Sequence, residues 1–220
     1  MLFLDRRDAG KQLAASLAKL KMGESVILAV PRGGVVVAEE GAAALGAPLD
    51  VVIARKIGAP GNPELAIGAV ASDGEPLLDE AIFDAVGRDM SYLRREAGRQ
   101  AEEVRARMKS FRGDRPYPNL EGKTAVVVDD GIATGSTVRA AVRWLKKKNP
   151  RRIVLAVPVA PEETIQALVE EAQVDAIVCL STPEDFSAVG QFYKDFDQVE
   201  DNEVQEILER RRETKQPHPD

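Results

Sequence analysis

Residues 126–142 read VVVDDGIATGSTVRAAV, and this is the most informative stretch of the sequence. An apolar run typical of a buried strand ends in Asp129 and Asp130, and a loop of small and hydroxyl residues then leads into a helical pattern. Two adjacent carboxylates cannot both point into a core, because burying a charge without a partner is costly. We therefore expect both acids at the carboxyl end of the strand, where open α/β sheets bind their ligands.

The loop that follows the acids has the composition of an anion site. Its two glycines allow a tight bend and a close approach of the backbone to a ligand, and the next helix supplies its positive end. The loop consists of Gly131, Ile132, Ala133, Thr134, Gly135, Ser136 and Thr137. A tight turn with a Ser or Thr helix cap would explain GSTV by itself, but it leaves the pair of acids unexplained. Acids that can hold hydroxyls or a metal, beside a cradle for a phosphate, predict a sugar phosphate as the ligand.

The rest of the chain alternates between strand-like apolar runs and helical patterns, which is typical of a mostly parallel sheet covered by helices. The central runs are almost entirely apolar, as expected for strands buried on both faces. We predict strands at 25–30, 49–54, 124–130, 152–159 and 176–180, and helices at 35–46, 136–148 and 161–172, after a first helix capped by Asp8. The predicted fold class is a doubly wound α/β domain.

Composition narrows the classes of protein to which the chain can belong. It has 220 residues, a formal net charge of −6, one cysteine and one histidine. The acidic balance gives no basic footprint for nucleic acid, and the single Cys179 and His218 exclude a disulfide framework, a cysteine-rich zinc site and a Ser-His-Asp triad. Short apolar runs and a charged N-terminus indicate neither a membrane span nor a secretory leader. We therefore predict a cytoplasmic protein with Cys179 in the core of its last strand.

Two further predicted strands end in groups that suit an anion. The segment PRGG (31–34) follows the first strand, and the pair Arg55-Lys56 follows the second. By itself PRGG also fits an ordinary turn, and the two cations also fit a solvated surface. Because the carboxyl ends of parallel strands meet at one edge of a sheet, we expect both segments to converge with the acidic loop on one crevice.

The string VVVDDGIATGST resembles the phosphoribosyl-pyrophosphate (PRPP) binding motif of the type I phosphoribosyltransferases, and PRGG resembles the pyrophosphate loop of that family. The resemblance covers residues 1–200 and leaves 201–220 as a charged helix and tail. It implies that the doubly wound sheet carries a small hood and a helical insertion. It also implies a cis peptide bond between Pro31 and Arg32.

The resemblance assigns roles to individual residues. Asp129 and Asp130 would contact the ribose hydroxyls and lie near a Mg²⁺ ion held mainly by PRPP oxygens and water. The 5′-phosphate would be held by Ala133, Thr134, Gly135, Ser136 and Thr137, and the pyrophosphate by Arg32, Gly33, Gly34, Arg55 and Lys56. Arg32 and Lys56 join the two acids as the implied catalytic residues.

The implied reaction transfers the phosphoribosyl group of PRPP to a nitrogenous base and releases pyrophosphate, through placement and electrostatics rather than a covalent nucleophile. Ala133 stands where hypoxanthine-guanine enzymes usually carry an acid, which weakens a 6-oxopurine assignment and leaves the general base unassigned. The alternative is a PRPP-sensing regulatory protein that has lost turnover. The sequence shows no helix-turn-helix, so a stand-alone DNA binder is disfavoured.

Three predicted segments lie outside the sheet: a lid, a helical insertion and a hood. Residues 57–122 hold a lid rich in Gly and Pro and then the helical insertion at 79–112, which suits a cap or a contact within a homo-oligomer. Glu64, in the lid, is either a solvated residue or a substrate contact. The hood, residues 181–196, is rich in aromatic side chains that either stack on the base or form a local core. Its candidates for the base are Phe186, Phe192 and Tyr193.

Overall fold

The computed structural model describes residues 2–172 and 174–213, and the predicted tail beyond 213 lies outside them. The strands are β1 (Ser25–Ala29), β2 (Leu49–Val51), β3 (Ala54–Ala59), β4 (Asn62–Ala71), β5 (Pro76–Leu78), β6 (Thr124–Val128), β7 (Arg152–Val159) and β8 (Ala176–Ser181). The helices are α1 (Arg6–Leu17), α2 (Gly33–Ala44), α3 (Glu80–Ala85), α4 (Met90–Arg112), α5 (Ser136–Lys146), α6 (Glu162–Ala172) and α7 (Asp201–Glu213). Within the described residues, no helix is both long enough and apolar enough to cross a membrane.

Five parallel strands form the central sheet in the order β2-β1-β6-β7-β8. Neighbouring residues of β1 contribute to separate cores, because successive side chains of a strand point to opposite faces. Ile27 belongs to the core that contains residues of α1, α2 and α7, whereas Leu28 belongs to the core that contains residues of α5 and α6. Helices thus cover both faces, and the predicted doubly wound α/β fold is confirmed.

The order of the strands reverses between β1 and β6. The chain leaves β1 for β2 on one side and returns to place β6 on the other side of β1. The register pairs Ala29 with Val128, which are the last residues of the two strands. The PRGG segment and the acidic loop therefore begin side by side at the switch point, where open α/β sheets bind their ligands.

The prediction of one strand over 49–54 is wrong in its second half. β2 ends at Val51, and Arg55 and Lys56 lie inside β3, in a separate antiparallel sheet of order β3-β4-β5. The break occurs at Ile53, whose N–H donates to Ser72 Oγ at 3.0 Å and whose carbonyl accepts from the same hydroxyl at 3.3 Å. The Ser72 hydroxyl thus satisfies the backbone groups of Ile53 that a neighbouring strand would otherwise bond. The apolar run VVIA does not predict this break.

The first helix begins earlier than predicted. Asp5, not Asp8, is its N-cap, and Asp5 Oδ1 accepts a hydrogen bond from the N–H of Asp8 at 2.7 Å. Asp8 reaches back instead, and its Oδ2 accepts from the N–H of Leu4 at 3.0 Å. This reciprocal arrangement satisfies two backbone donors at the helix start, as in a capping box.

The helical insertion consists of α3 and α4, and α4 follows the predicted periodicity. Near its start, the Tyr92 hydroxyl donates to the carbonyl of Gly58 in β3 at 2.9 Å. At its end, the buried guanidinium of Arg112 donates to both carboxylate oxygens of Asp50, at 2.6 and 3.0 Å. The helix is therefore fixed to β3 of the antiparallel sheet near its start and to β2 of the parallel sheet at its end, and this position places one of its faces over the crevice.

The last strand, β8, is partly buried at the edge of the sheet. Cys179 packs against the core that contains α5 and α6, and its Sγ lies 3.2 Å from the carbonyl of Ser181. Burial raises the pKa of its thiol above the usual value. Cys179 is therefore a half-buried packing residue of this strand rather than a fully enclosed one.

Candidate active site

The three predicted segments meet at one cavity of about 930 Å³ at the carboxyl edge of the sheet. The predicted site residues that line it are Arg32, Gly33, Arg55, Lys56, Asp129, Asp130, Thr134, Ser136 and Thr137. Gly34 and Gly135 are buried and Ala133 is exposed, and these three do not line the cavity. The three segments therefore converge on one crevice, although Arg55 and Lys56 reach it from inside β3 and not from the end of a strand.

Two side chains fix the loop after the two acids by donating hydrogen bonds to its carbonyls. Thr164 Oγ1 donates to the carbonyl of Ala133 at 2.7 Å, and Arg139 Nη1 donates to the carbonyl of Thr134 at 2.6 Å. Gly135 adopts a positive φ of 73°, which glycine reaches without steric cost, and α5 begins at the next residue. The first amides of a helix lack partners within it, so the loop offers donors to an anion at the cavity wall.

The two acids have different surroundings. Asp130 Oδ2 accepts a hydrogen bond from Arg6 Nε at 2.8 Å, and the carbonyl of Asp130 accepts from the Tyr193 hydroxyl at 2.5 Å. Asp129 Oδ1 accepts from the N–H of Asp130 at 2.9 Å. Burial, and then the charge of Asp130, raise the pKa of the Asp129 carboxyl well above its usual value. Asp130 is thus paired with a cation, whereas the surroundings of Asp129 disfavour its ionised form.

Arg6 also belongs to this site, although the sequence did not predict it. Besides Asp130, its guanidinium donates from Nη1 to the carbonyl of Asp197 at 2.7 Å and lies 3.8 Å from the centre of the Phe196 ring. The segment LDRRDAG offers two adjacent arginines with no pattern that separates them. Arg7, the other, pairs with Glu39 at 2.9 Å and does not line the cavity.

The PRGG segment packs directly against the acids. Gly33 opens α2, and a Cβ added to it would lie 1.9 Å from Asp130 Oδ2 and 2.6 Å from Arg6 Nε. The predicted cis peptide bond between Pro31 and Arg32 is confirmed. The Arg32 guanidinium lies 3.6 Å from Asp201 at the start of α7. Gly33 is therefore needed here for space, because any larger side chain collides with the Asp130–Arg6 pair.

The two cations of β3 are both paired with acids. Lys56 Nζ lies 2.9 Å from Glu64 Oε2, across the hairpin that the lid forms, and Arg55 pairs with Glu103 of α4. Both cations line the cavity although they lie inside a strand. Glu64, the predicted lid acid, contacts a predicted pyrophosphate residue in this structure.

α4 supplies a polar wall that was not predicted. Its residues on the cavity are Tyr92, Glu96, Arg99, Gln100 and Arg107. Their spacing of three, four and eight residues places them on one side of the helix. The apolar stripe of α4 was visible in the sequence, but nothing there showed which polar residues would meet the sheet.

The hood divides its aromatic residues between two environments. Phe192 and Tyr193 are buried in a local core with Phe3, and Phe186 stacks on Phe192 with ring centres 5.3 Å apart. None of these three base candidates lines the cavity, whereas Phe196 does. Burial raises the pKa of the Tyr193 hydroxyl, which remains a donor to the carbonyl of Asp130. The structure thus favours the local core for the candidates and brings Phe196 to the site.

The raised pKa of Asp129 leads to a prediction about stability. An acid whose pKa is raised by folding destabilises the fold when ionised, and this cost fades as the pH falls through the folded pKa. Asparagine keeps the acceptor for the Asp130 N–H without the charge. We expect Asp129→Asn to raise the Tm of the ligand-free protein at pH 7 by roughly 2–4 °C, and to lose this advantage in acid.

Thermal melts between pH 4 and pH 8 check this expectation. Asp114→Asn, which neutralises an exposed acid that does not line the cavity, is the control and should give no such pH-dependent gain. A Tm for Asp129→Asn at or below that of the wild type at pH 7 would contradict the assignment.

Known proteins are similar to this chain in sequence and in fold. A family model described as the phosphoribosyl transferase domain matches residues 4–197. A Mycobacterium tuberculosis protein named "Putative phosphoribosyl transferase Rv0571c" is 44% identical over 209 residues, which make up 95% of this chain and 47% of that protein. The chain therefore spans about half the length of this relative.

Two further similarities bear on the site. The crystal structure of the protein TT1426 from Thermus thermophilus has a TM-score of 0.86 and 48% identity, and the match covers 94% of this chain and 98% of that one. A Methanosarcina barkeri protein named "Transcriptional regulator GfcR 2" is 33% identical over 113 residues, which are 50% of this chain and 52% of that protein.

Proposed function

This chain belongs to the phosphoribosyl transferase domain family, and we propose that it transfers the phosphoribosyl group of PRPP to a nitrogenous base with release of pyrophosphate. One observation supports this most directly. Two adjacent acids, a loop of free amides and hydroxyls at a helix start, and a group of arginine and lysine side chains all face one cavity. A sugar with a phosphate at one end and a pyrophosphate at the other is complementary to these three groups.

The ribose and its 5′-phosphate would bind at the end of β6. The carboxylates of Asp129 and Asp130 would accept hydrogen bonds from the ribose hydroxyls, which are strong because the acceptors are charged. The amides that open α5, with the hydroxyls of Thr134, Ser136 and Thr137, would hold the 5′-phosphate at the positive end of the helix. Together they would fix carbon 1 of the ribose at the centre of the cavity.

The leaving group would lie towards β1 and β3. Arg32, Arg55 and Lys56 would balance the negative charge that develops on pyrophosphate, and the amides of Gly33 and Gly34 lie at the positive end of α2. Such preorganised charge accelerates the reaction because it stabilises the transition state without further movement. This division of roles makes the reaction one of placement, with no covalent intermediate on the protein.

The acids fit a Mg²⁺ ion that is held mainly by the substrate. Residues 2–172 and 174–213 contain no cluster of three or more His, Cys, Asp or Glu side chains placed to bind a metal. Asp130 is already bonded to Arg6, so Asp129 would be the nearer acid, with PRPP oxygens and water as the remaining ligands. When bound, the ion would neutralise charge on the departing pyrophosphate.

The base would approach from the side of the hood. Arg6 and Phe196 line the cavity there, and Phe192 and Tyr193 would support them from the local core. Ala133 supplies no acid for a purine, and the general base stays unassigned. The acceptor is therefore named only by class, as a nitrogenous heterocycle.

One observation favours a second candidate function, a PRPP-sensing regulator without turnover. The relative from M. barkeri is named as a transcriptional regulator and matches half of this chain. Such a protein would use the same acids and phosphate loop to bind PRPP and would not need a base. Binding and turnover must therefore be measured separately.

Pyrophosphate release from PRPP, measured over a panel of purine and pyrimidine bases with and without Mg²⁺, distinguishes the two functions. We expect pyrophosphate to be released only when Mg²⁺ and one particular base of the panel are both present. PRPP binding without release for any base would favour the sensor. A protein that does not bind PRPP at all would refute both functions.

A further inference from the structure

Five side chains form a closed ring on the wall of the cavity, between β3 and α4. Arg55 Nε donates to Gln100 Oε1 at 3.1 Å, and Gln100 Nε2 donates to Glu96 Oε1 at 2.8 Å. Arg99 pairs with Glu96 at 2.5 Å and through Nη1 with Glu103 Oε1 at 3.2 Å. Glu103 Oε2 pairs with Arg55 and closes the ring. Two guanidinium groups are thus balanced by two carboxylates.

Within this ring Glu103 bridges two arginines from different elements. One of its oxygens contacts Arg99 and the other contacts Arg55. Phosphoryl groups bind between guanidinium groups in the same manner, through two oxygens that each accept from one of them. Arg55 and Arg99 line the cavity, whereas Glu103 does not. An anion that enters from the cavity would therefore meet the same two guanidinium groups.

The ring is held in place by its buried member. Gln100 is only 4% exposed, and its amide fixes the position of Arg55 on one side and of Glu96 on the other. Arg99 makes pairs three and four residues away along α4, which are common on exposed helices and stabilise them only weakly. Pairs along one exposed helix do not explain why the amide of Gln100 is buried, or why Arg55 of β3 joins the ring.

We propose that Arg55 and Arg99 form a clamp for the terminal phosphoryl group of pyrophosphate, and that Glu103 occupies the clamp until the ligand displaces it. The proposal rests on the proposed function and adds α4 to the site that binds the leaving group. It gives Arg99 a direct contact with the ligand and Gln100 a positioning role through Arg55. It also makes Glu103 a competitor of the ligand, so that removing its charge strengthens binding.

Calorimetric titration with inorganic pyrophosphate and Mg²⁺ tests the clamp. We expect Glu103→Gln to bind pyrophosphate roughly three- to fivefold more tightly, because an exposed ion pair no longer competes. Arg99→Gln should bind it about tenfold more weakly, as for the loss of one charge-assisted hydrogen bond. The matched control is Glu102→Gln, which removes the same charge from an exposed neighbour that does not line the cavity.

A second ligand separates the clamp from a general effect of charge. Ribose 5-phosphate lacks the pyrophosphate, so its affinity should be the same in Glu103→Gln and in the wild type. The clamp is refuted if Glu103→Gln does not exceed Glu102→Gln in affinity for pyrophosphate, or if both ligands gain equally. A wild-type protein that binds neither pyrophosphate nor PRPP would refute the proposed function together with the clamp, whereas the other outcomes affect the clamp alone.

Discussion

Gly33→Val is expected to weaken PRPP binding by about 100-fold, because displaced charge-assisted hydrogen bonds are worth about 1.5–3 kcal/mol each. A Cβ at this position would lie 1.9 Å from Asp130 Oδ2, so either the Asp130 side chain or the start of α2 must move. If Asp130 moves, a proposed contact with the ribose is lost. If the start of α2 moves, the amides that would face pyrophosphate are displaced. We expect the free energy of unfolding to change much less than the free energy of PRPP binding.

Calorimetry with PRPP and thermal melts measure the two effects on the same variant. Gly98→Ala is the matched control, because an added Cβ at Gly98 meets no atom within 4 Å and the residue lies inside α4. That change should leave PRPP affinity unaltered and stabilise the helix by about 0.5–1 kcal/mol. If Gly33→Val binds PRPP with the affinity of the wild type, the PRGG segment does not contact the ligand.

The double variant Asp129→Asn and Asp130→Asn is expected to lose PRPP binding at least about 100-fold, since each hydrogen bond to a charged acceptor is worth about 1.5–3 kcal/mol. Its fold should persist because two effects on stability oppose each other. Asp129→Asn removes a carboxylate that folding disfavours, whereas Asp130→Asn leaves Arg6 without its ionised partner.

The two single variants separate these effects. Asp129→Asn should be more stable than the wild type and bind PRPP poorly, whereas Asp130→Asn should be less stable and also bind poorly. Calorimetry and thermal melts at pH 7 check both. Unchanged affinity in the double variant would exclude the acids from the ligand site, and loss of the folded state in Asp129→Asn would assign them a structural role.

The centre of the site was predictable from sequence because its physics is local. A buried strand that ends in two acids and continues into small residues has few structural solutions, and the open sheet then places the loops after β1 and β6 together. Most of the predicted residues of these two loops therefore line the cavity, namely Arg32, Gly33, Asp129, Asp130, Thr134, Ser136 and Thr137, whereas Gly34, Ala133 and Gly135 do not. The strands that precede these loops set where each one begins, although Thr164 and Arg139 also hold the loop after β6.

The rest of the site depends on contacts between distant segments. Arg6 reaches Asp130 because α1 packs beside α2, and no pattern in the sequence separates Arg6 from Arg7. The end of β2 is set by Ser72, a residue 19 positions after Ile53. The polar face of α4 points at the cavity because Tyr92 and Arg112 fix the ends of the helix. A linear pattern of apolar and charged residues contains none of this information.

Amide NMR of ¹⁵N-labelled protein during titration with PRPP and Mg²⁺ tests most directly whether one cavity binds the substrate. We expect large shifts for the amides of Gly33 and Gly34 and of residues 134–137, at the carboxyl edge of the sheet. The amides of Gly46 and Gly122, which precede β2 and β6 at the opposite edge, should stay unchanged. Shifts confined to that opposite edge, or no shifts at saturating PRPP, would exclude this cavity as the PRPP site.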